Sequence, residues 1–132
     1  MIFADTSAIY AILDRDDHNH NLAKETWNLL LNSREPLLTS NYVLVECCAL
    51  AQHRLGLEAV RAIEEDMRPM MKVQWVDLQV HKIAMATLLA ARRRKLSLVD
   101  CTSFEVMRQQ QVRTAFAFDQ HFVEEGFSFP QL

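Results

Sequence analysis

Short apolar runs alternate with longer stretches of helical spacing along this chain. Met1 to Ala4 is unbroken apolar sequence and reads as a buried strand. Thr6 and Ser7 are placed to cap a short helix reaching about Leu13. The polar stretch from Asp14 to Asn21 predicts a loop. Leu22, Trp27, Leu30 and Leu31 recur at helical spacing, giving a second helix that ends near Asn32. Leu37-Leu38 is a brief strand. Thr39 or Ser40 caps a helix from Asn41 to Leu55, and Gly56 ends it. Glu58 to Met67 forms a shorter helix that stops before Pro69. Lys72 to Val76 alternates and predicts a strand. Helices follow at Leu78 to Arg94 and Leu98 to Gln110, then a strand at Val112 to Phe118. Phe127 to Phe129 predicts a last edge strand, closed by Pro130.

The order is β-α-α-β-α-α-β-α-α-β. Strands separated by helix pairs imply an α/β fold with a mainly parallel sheet covered on both faces. Four or five short strands make that sheet. In such sheets ligands bind beyond the carboxyl ends of the strands, at a topological switch point. At 132 residues the chain is one domain, residues 1–132, with no repeat, linker or low-complexity tract. Only two glycines and three prolines interrupt it, which favours long helices and short connections.

Four acids break the apolar pattern where a surface carboxylate is unexpected. Asp5 closes the first strand. Glu46 sits among Tyr42, Val43, Leu44, Val45, Cys47 and Cys48. Asp100 follows Leu96-Ser97-Leu98-Val99, and Asp119 follows Ala115-Phe116-Ala117-Phe118. Burying unpaired charge is costly. Carboxylates about 5 Å apart repel by roughly 3 kcal/mol per pair at an effective dielectric of ~20. If the four converge, a hard divalent cation is the obvious neutralising partner. Each acid alone also fits a bland role, as a helix cap or a solvated helix residue.

The resemblance that these residues carry is to the PIN-domain ribonucleases, and most to the VapC toxins of bacterial toxin–antitoxin pairs. It runs through Ile2-Phe3-Ala4-Asp5-Thr6-Ser7, then Glu46 within a helix. It continues in Leu98-Val99-Asp100-Cys101-Thr102-Ser103 and ends in Phe118-Asp119-Gln120-His121-Phe122. The match covers essentially the whole chain and implies a PIN-like three-layer α/β/α sandwich. It further implies one or two Mg²⁺ or Mn²⁺ ions and cleavage of an RNA phosphodiester. On this reading Asp5 and Asp100 are the main direct ligands, and Glu46 and Asp119 complete a second metal or hold water. Ser103, one helical turn after Asp100, reaches a ligand or the scissile phosphate, while Thr6 and Ser7 support Asp5. The resemblance also implies an antitoxin partner, bound near the helix of Trp27, Leu30 and Leu31, and a homodimer. Many family members carry a threonine just before the last aspartate, where this chain has Ala117 and Phe118. A catalytically inactive module that binds RNA or a protein is the competing reading. Structured DNA as substrate is a third, for which a chain this short lacks the usual inserted arches.

The remaining features change the picture little. No apolar run approaches a membrane span, and the first residues lack a signal-peptide pattern, so a cytoplasmic location is expected. Cys47, Cys48 and Cys101 have no zinc-ribbon or disulfide spacing and read as small buried hydrophobes. Setting four site carboxylates aside turns the formal charge of −3 slightly positive, so net charge does not exclude a nucleic acid. Arg92-Arg93-Arg94-Lys95 is either a phosphate contact or a solvated helix end. His18, His20, His53 and His81 form no constellation, and His121 reads as a turn residue. Asp14, Asp16 and Asp17 read as a solvated loop. Met67, Met70 and Met71 are expected in packing more than at a pliable partner surface.

Overall fold

The computed structural model describes residues 1–131. Its four-stranded sheet comprises β1 (Ile2–Ala4), β2 (Leu37–Ser40), β3 (Lys72–Gln74) and β4 (Thr114–Phe116), in the order β3-β2-β1-β4. Every ladder is parallel. The helices are α1 (Thr6–Leu13), α2 (His20–Ser33), α3 (Asn41–Leu55), α4 (Leu57–Ala62), α5 (Leu78–Ala91), α6 (Leu98–Gln109) and α7 (His121–Glu124). Right-handed crossovers, the near-universal sense, put α1 to α4 on one face of the sheet and α5 and α6 on the other. The chain steps outward from β1 to β3 and then returns to place β4 on the far side of β1. The switch point therefore lies between β1 and β4, and Asp5 stands directly beyond it.

Burial follows the apolar pattern. Phe3, Ala4, Leu38, Ala115 and Phe116 fill the sheet, and Ala8, Ile9, Val43, Phe104, Met107 and Phe122 pack onto it. Trp27 and Leu30 face this core, so the apolar surface that α2 leaves outside is Leu22 and Leu29. Met67 and Met71 are buried in the packing as expected, with Met70 exposed. The three cysteines are unpaired, Cys47 and Cys101 buried. Burial pushes all three thiols up, away from reactivity. No helix among the described residues is long and apolar enough to cross a membrane.

Several boundaries differ from the sequence expectation, each for an identifiable reason. Asp5, rather than Thr6 or Ser7, is the N-cap of α1, because its carboxylate accepts from Ser7 N–H. β3 stops at Gln74 because Val76 N–H goes to Asn41 Oδ1 at 2.7 Å instead of a ladder partner. β4 stops at Phe116, since Phe118 N–H is taken by the Ser7 hydroxyl at 2.9 Å. The helix expected to run to Arg94 ends at Ala91, where Arg92 turns left-handed with φ 52°. The helix expected to reach Met67 changes at Ile63 into one wide turn, which buries Ile63 and Met67 together. Phe127 to Phe129 forms no strand; Ser128 makes a single bridge to Thr114. Gly56 ends α3 as expected, at a φ of 98° that favours glycine.

Candidate active site

The four acids arrive at one crevice from four elements. Asp5 follows β1 and is only 3% exposed. Its own N–H donates to Phe116 O at 3.0 Å, pinning it to the β1–β4 junction. Glu46 lies half-buried in the second turn of α3, whose start is fixed by the Ser40 hydroxyl accepting from Val43 N–H. Asp100 is the third residue of α6 and belongs to a capping box. Its N–H donates to Ser97 Oγ at 3.0 Å, and Ser97 N–H donates to Asp100 Oδ2 at 3.1 Å. Asp119 follows β4 and closes its own turn, accepting His121 N–H on Oδ1 at 2.9 Å.

Their charges act on one another. Burial pushes the Asp5 carboxyl up to about 7, opposed by the Ser7 hydrogen bonds and reinforced by Asp100 and Glu46. Burial likewise raises Glu46, with Asp100 and Asp119 adding to it and Thr6 opposing it. Burial raises Asp100 as well, against the hydrogen bonds from Ser97, and Asp119 adds to the rise. Each acid therefore feels at least one of the others. A set that resists ionisation in this way is what a missing positive charge leaves behind.

The hydrogen bonds also define which oxygens remain. Ser7 donates to Asp5 Oδ2 from both its N–H (3.1 Å) and its hydroxyl (2.7 Å). Ser97 holds Oδ2 of Asp100, and His121 holds Oδ1 of Asp119. Among the described residues each aspartate thus has one oxygen fixed by the protein and one without a protein hydrogen bond. That is the donor set a hard cation accepts: oriented, oxygen-only and mostly anionic.

Three buried hydroxyls nearby are unsatisfied: Thr6 Oγ1, Thr102 Oγ1 and Ser103 Oγ. Thr6 lies close enough to Glu46 to favour its ionised form, yet no formed hydrogen bond joins them. Orphaned buried hydroxyls are rare, and two of these three belong to residues expected in the site. Ser7 has a double duty, since its hydroxyl donates to Asp5 while accepting from Phe118 N–H. This relay ties the β1 end to the segment where the family's usual threonine is missing.

Some contributors were not singled out from sequence. His121 is more than a turn residue: one of its ring nitrogens and single oxygens of Asp100 and Asp119 lie within 4.8 Å of one another. Arg93, from the basic run, reaches His121 Nδ1 at 3.2 Å and Glu124 at 2.8 Å. Arg92, Arg94 and Lys95 are exposed. Ser97 carried a readable signal, the Ser-x-x-Asp capping pattern, whereas His121 had none beyond its closeness to Asp119. The largest cavity, about 840 Å³, lies at the opposite, amino end of β1 and β4 and holds none of the acids.

Comparison with known proteins places this arrangement in a family. Residues 2–127 match the PIN domain model. The 23S rRNA-specific endonuclease VapC20 of Mycobacterium tuberculosis is 36% identical over 129 residues, 96% of this chain and 95% of that protein, in both strains compared. The crystal structure of M. tuberculosis VapC20, described as a sarcin–ricin loop cleaving toxin, superposes with a TM-score of 0.84 at 33% identity, covering 96% of each chain. The chain belongs to the PIN-domain family and, within it, to the VapC-like ribonuclease toxins.

Proposed function

We propose that this protein is a Mg²⁺- or Mn²⁺-dependent endoribonuclease whose reaction centre is the crevice of Asp5, Glu46, Asp100 and Asp119. The observation that carries the reading is the convergence of these acids, with Asp5 buried and pushed up to about 7. Asp5 and Asp100 are the principal ligands, because both are buried and each is held through one oxygen only. Glu46, Asp119 and the ring of His121 complete one or two ion sites. The bound ion supplies an activated water and neutralises charge on the phosphate. The chain's own contribution is orientation: Ser7 and Ser97 fix the carboxylates, and the Thr6 and Ser103 hydroxyls are left to hold a ligand water or a phosphate oxygen.

The similarity to VapC20 makes the sarcin–ricin loop of 23S rRNA the first substrate to test, in the cytoplasm where ribosomes are. An antitoxin protein is the expected inhibitor, and the exposed Leu22 and Leu29 on α2 supply an apolar surface for it. A homodimer is supported by Val45 and Trp75, both largely exposed, which line one groove of about 360 Å³. The test is cleavage of a sarcin–ricin RNA with Mn²⁺, Mg²⁺ or EDTA by the wild type and Asp5→Asn. Cleavage that needs the ion and disappears in the variant supports the reading. Equal cleavage by both proteins in EDTA overturns it. The non-catalytic alternative is less well supported, because a purely binding module has no need of four mutually repelling carboxylates.

A further inference from the structure

A second cavity opens directly beside the acids. It holds about 390 Å³ and is walled by Tyr42, Val45, Glu46, His81, Leu98 and Val99. Glu46 belongs to both the cavity and the crevice. Tyr42 lies one helical turn before Glu46, so the two share a face of α3. Val99 immediately precedes Asp100. Whatever enters this cavity is therefore a direct neighbour of whatever the acids hold.

One wall is a fixed pair of rings. The Tyr42 hydroxyl and His81 Nδ1 are 2.5 Å apart, and the rings meet edge to face with centroids 5.8 Å apart at 72°. This bond joins α3 to α5 across the mouth of the cavity and fixes both rings while they are only half-buried. Two hydrogen-bonding groups remain on the lining. Asn41 also faces the cavity, and its Oδ1 is committed to Val76 N–H, which leaves its NH₂. His81, with Nδ1 engaged, leaves Nε2.

We propose that this cavity is a nucleobase subsite, which takes the base adjoining the scissile phosphate after it has left its stack. The inference rests on the RNA-cleaving reading of the acid crevice. RNA is read in loops by splaying single bases onto aromatic side chains and pairing their edges. The cavity offers both halves of that recognition: aromatic and aliphatic walls for the face, and Asn41 NH₂ with His81 Nε2 for the edge. An aliphatic side chain from a protein partner fills the same volume but leaves those two polar groups unpaired. Continuity with the acid crevice through Glu46 also favours part of the substrate over a separate partner.

The test is single-turnover cleavage of a sarcin–ricin RNA oligonucleotide by Mn²⁺-loaded wild type, Tyr42→Ala and Tyr42→Phe. It is repeated on the same RNA with one abasic nucleotide on either side of the cleaved bond. Tyr42→Ala is expected to lower kcat/KM 10- to 100-fold, mainly through KM, with Mn²⁺ affinity unchanged. Tyr42→Phe, which keeps the ring, stays within a few-fold of wild type. One of the two abasic RNAs costs the wild type a similar factor and costs Tyr42→Ala almost nothing further. That abasic comparison reads the subsite on the unaltered protein, so it stands even if a variant folds poorly. Wild-type kinetics for Tyr42→Ala, or indifference of the wild type to both abasic RNAs, overturns the subsite alone. A loss in Tyr42→Ala that tracks a changed mass in light scattering overturns it in favour of a contact between protein copies. Failure of the wild type to cleave any RNA overturns the broader reading as well.

Discussion

Ser7 holds Asp5 twice, donating from its hydroxyl at 2.7 Å and from its backbone N–H at 3.1 Å, both to Oδ2. The same hydroxyl accepts Phe118 N–H at 2.9 Å. One small side chain thus orients the most buried acid of the site and anchors the segment leading to Asp119.

Replacing Ser7 with alanine removes a donor from a buried carboxylate and the acceptor of a part-buried amide. Leaving such groups unmatched costs about 1–3 kcal/mol each before relaxation. Ser7→Ala is expected to lower the urea midpoint and to reduce kcat more than it raises KM, while Ser7→Thr restores much of both. Unchanged kcat in a stably folded Ser7→Ala protein contradicts the orienting role.

The metal-free protein is expected to lose stability as pH rises from 5 to about 7.5. Folded Asp5 keeps its proton up to about pH 7, whereas the unfolded chain releases it near 3.8. Between those values the folded state binds more protons, so stability falls with pH. The difference corresponds to ~4 kcal/mol at most. Burial moves Glu46 and Asp100 in the same direction. Asp14 and Glu124, held low by Tyr10 and Arg93, act oppositely but below their ordinary range, which is why the comparison starts at pH 5. Mn²⁺ is expected to raise Tm far more at pH 7.5 than at pH 5, and Asp5→Asn to flatten the decline. A Tm in EDTA that climbs across this interval is inconsistent with the account.

Ser97 stands to Asp100 as Ser7 stands to Asp5. Ser97→Ala breaks the capping box, costing about 1 kcal/mol of helix stability, and frees the Asp100 carboxylate to rotate. Titration calorimetry with Mn²⁺ should show roughly 10- to 100-fold weaker binding, the range for removing a group that orients a ligand. Equal affinity in the two proteins argues against Asp100 as a principal ligand.

His121 lies against both Asp100 and Asp119 and is braced by Arg93. His121→Ala should weaken Mn²⁺ binding, and Arg93→Ala should do so less, because it removes only the brace. Full Mn²⁺ affinity in His121→Ala would return His121 to the role of a turn residue.

The sheet, its parallel sense and the four acids were legible because apolar runs and their interruptions are local features. Asp5, Glu46, Asp100 and Asp119 stood out because each interrupts or ends an apolar run. The ends of β3 and β4 were not legible. They are set by Asn41 accepting Val76 N–H and Ser7 accepting Phe118 N–H, bonds spanning 35 and 111 residues that no local window contains. The cap of α1 was misplaced by one residue because Thr6 and Ser7 are good capping types too, and only the geometry shows Asp5 accepting. His121 was underrated for a similar reason: its value comes from Asp100, on another helix.

The central claim is that four carboxylates from four elements form one ion-dependent centre for RNA cleavage. The most direct measurement is single-turnover cleavage of a sarcin–ricin RNA by the wild type, Asp5→Asn and Asp100→Asn, each with EDTA, Mg²⁺ and Mn²⁺. The account expects wild-type cleavage only with an added ion and a loss of at least about 100-fold in either variant, on the scale of removing a group that stabilises the transition state. Cleavage that survives EDTA, or that both variants retain, would contradict it.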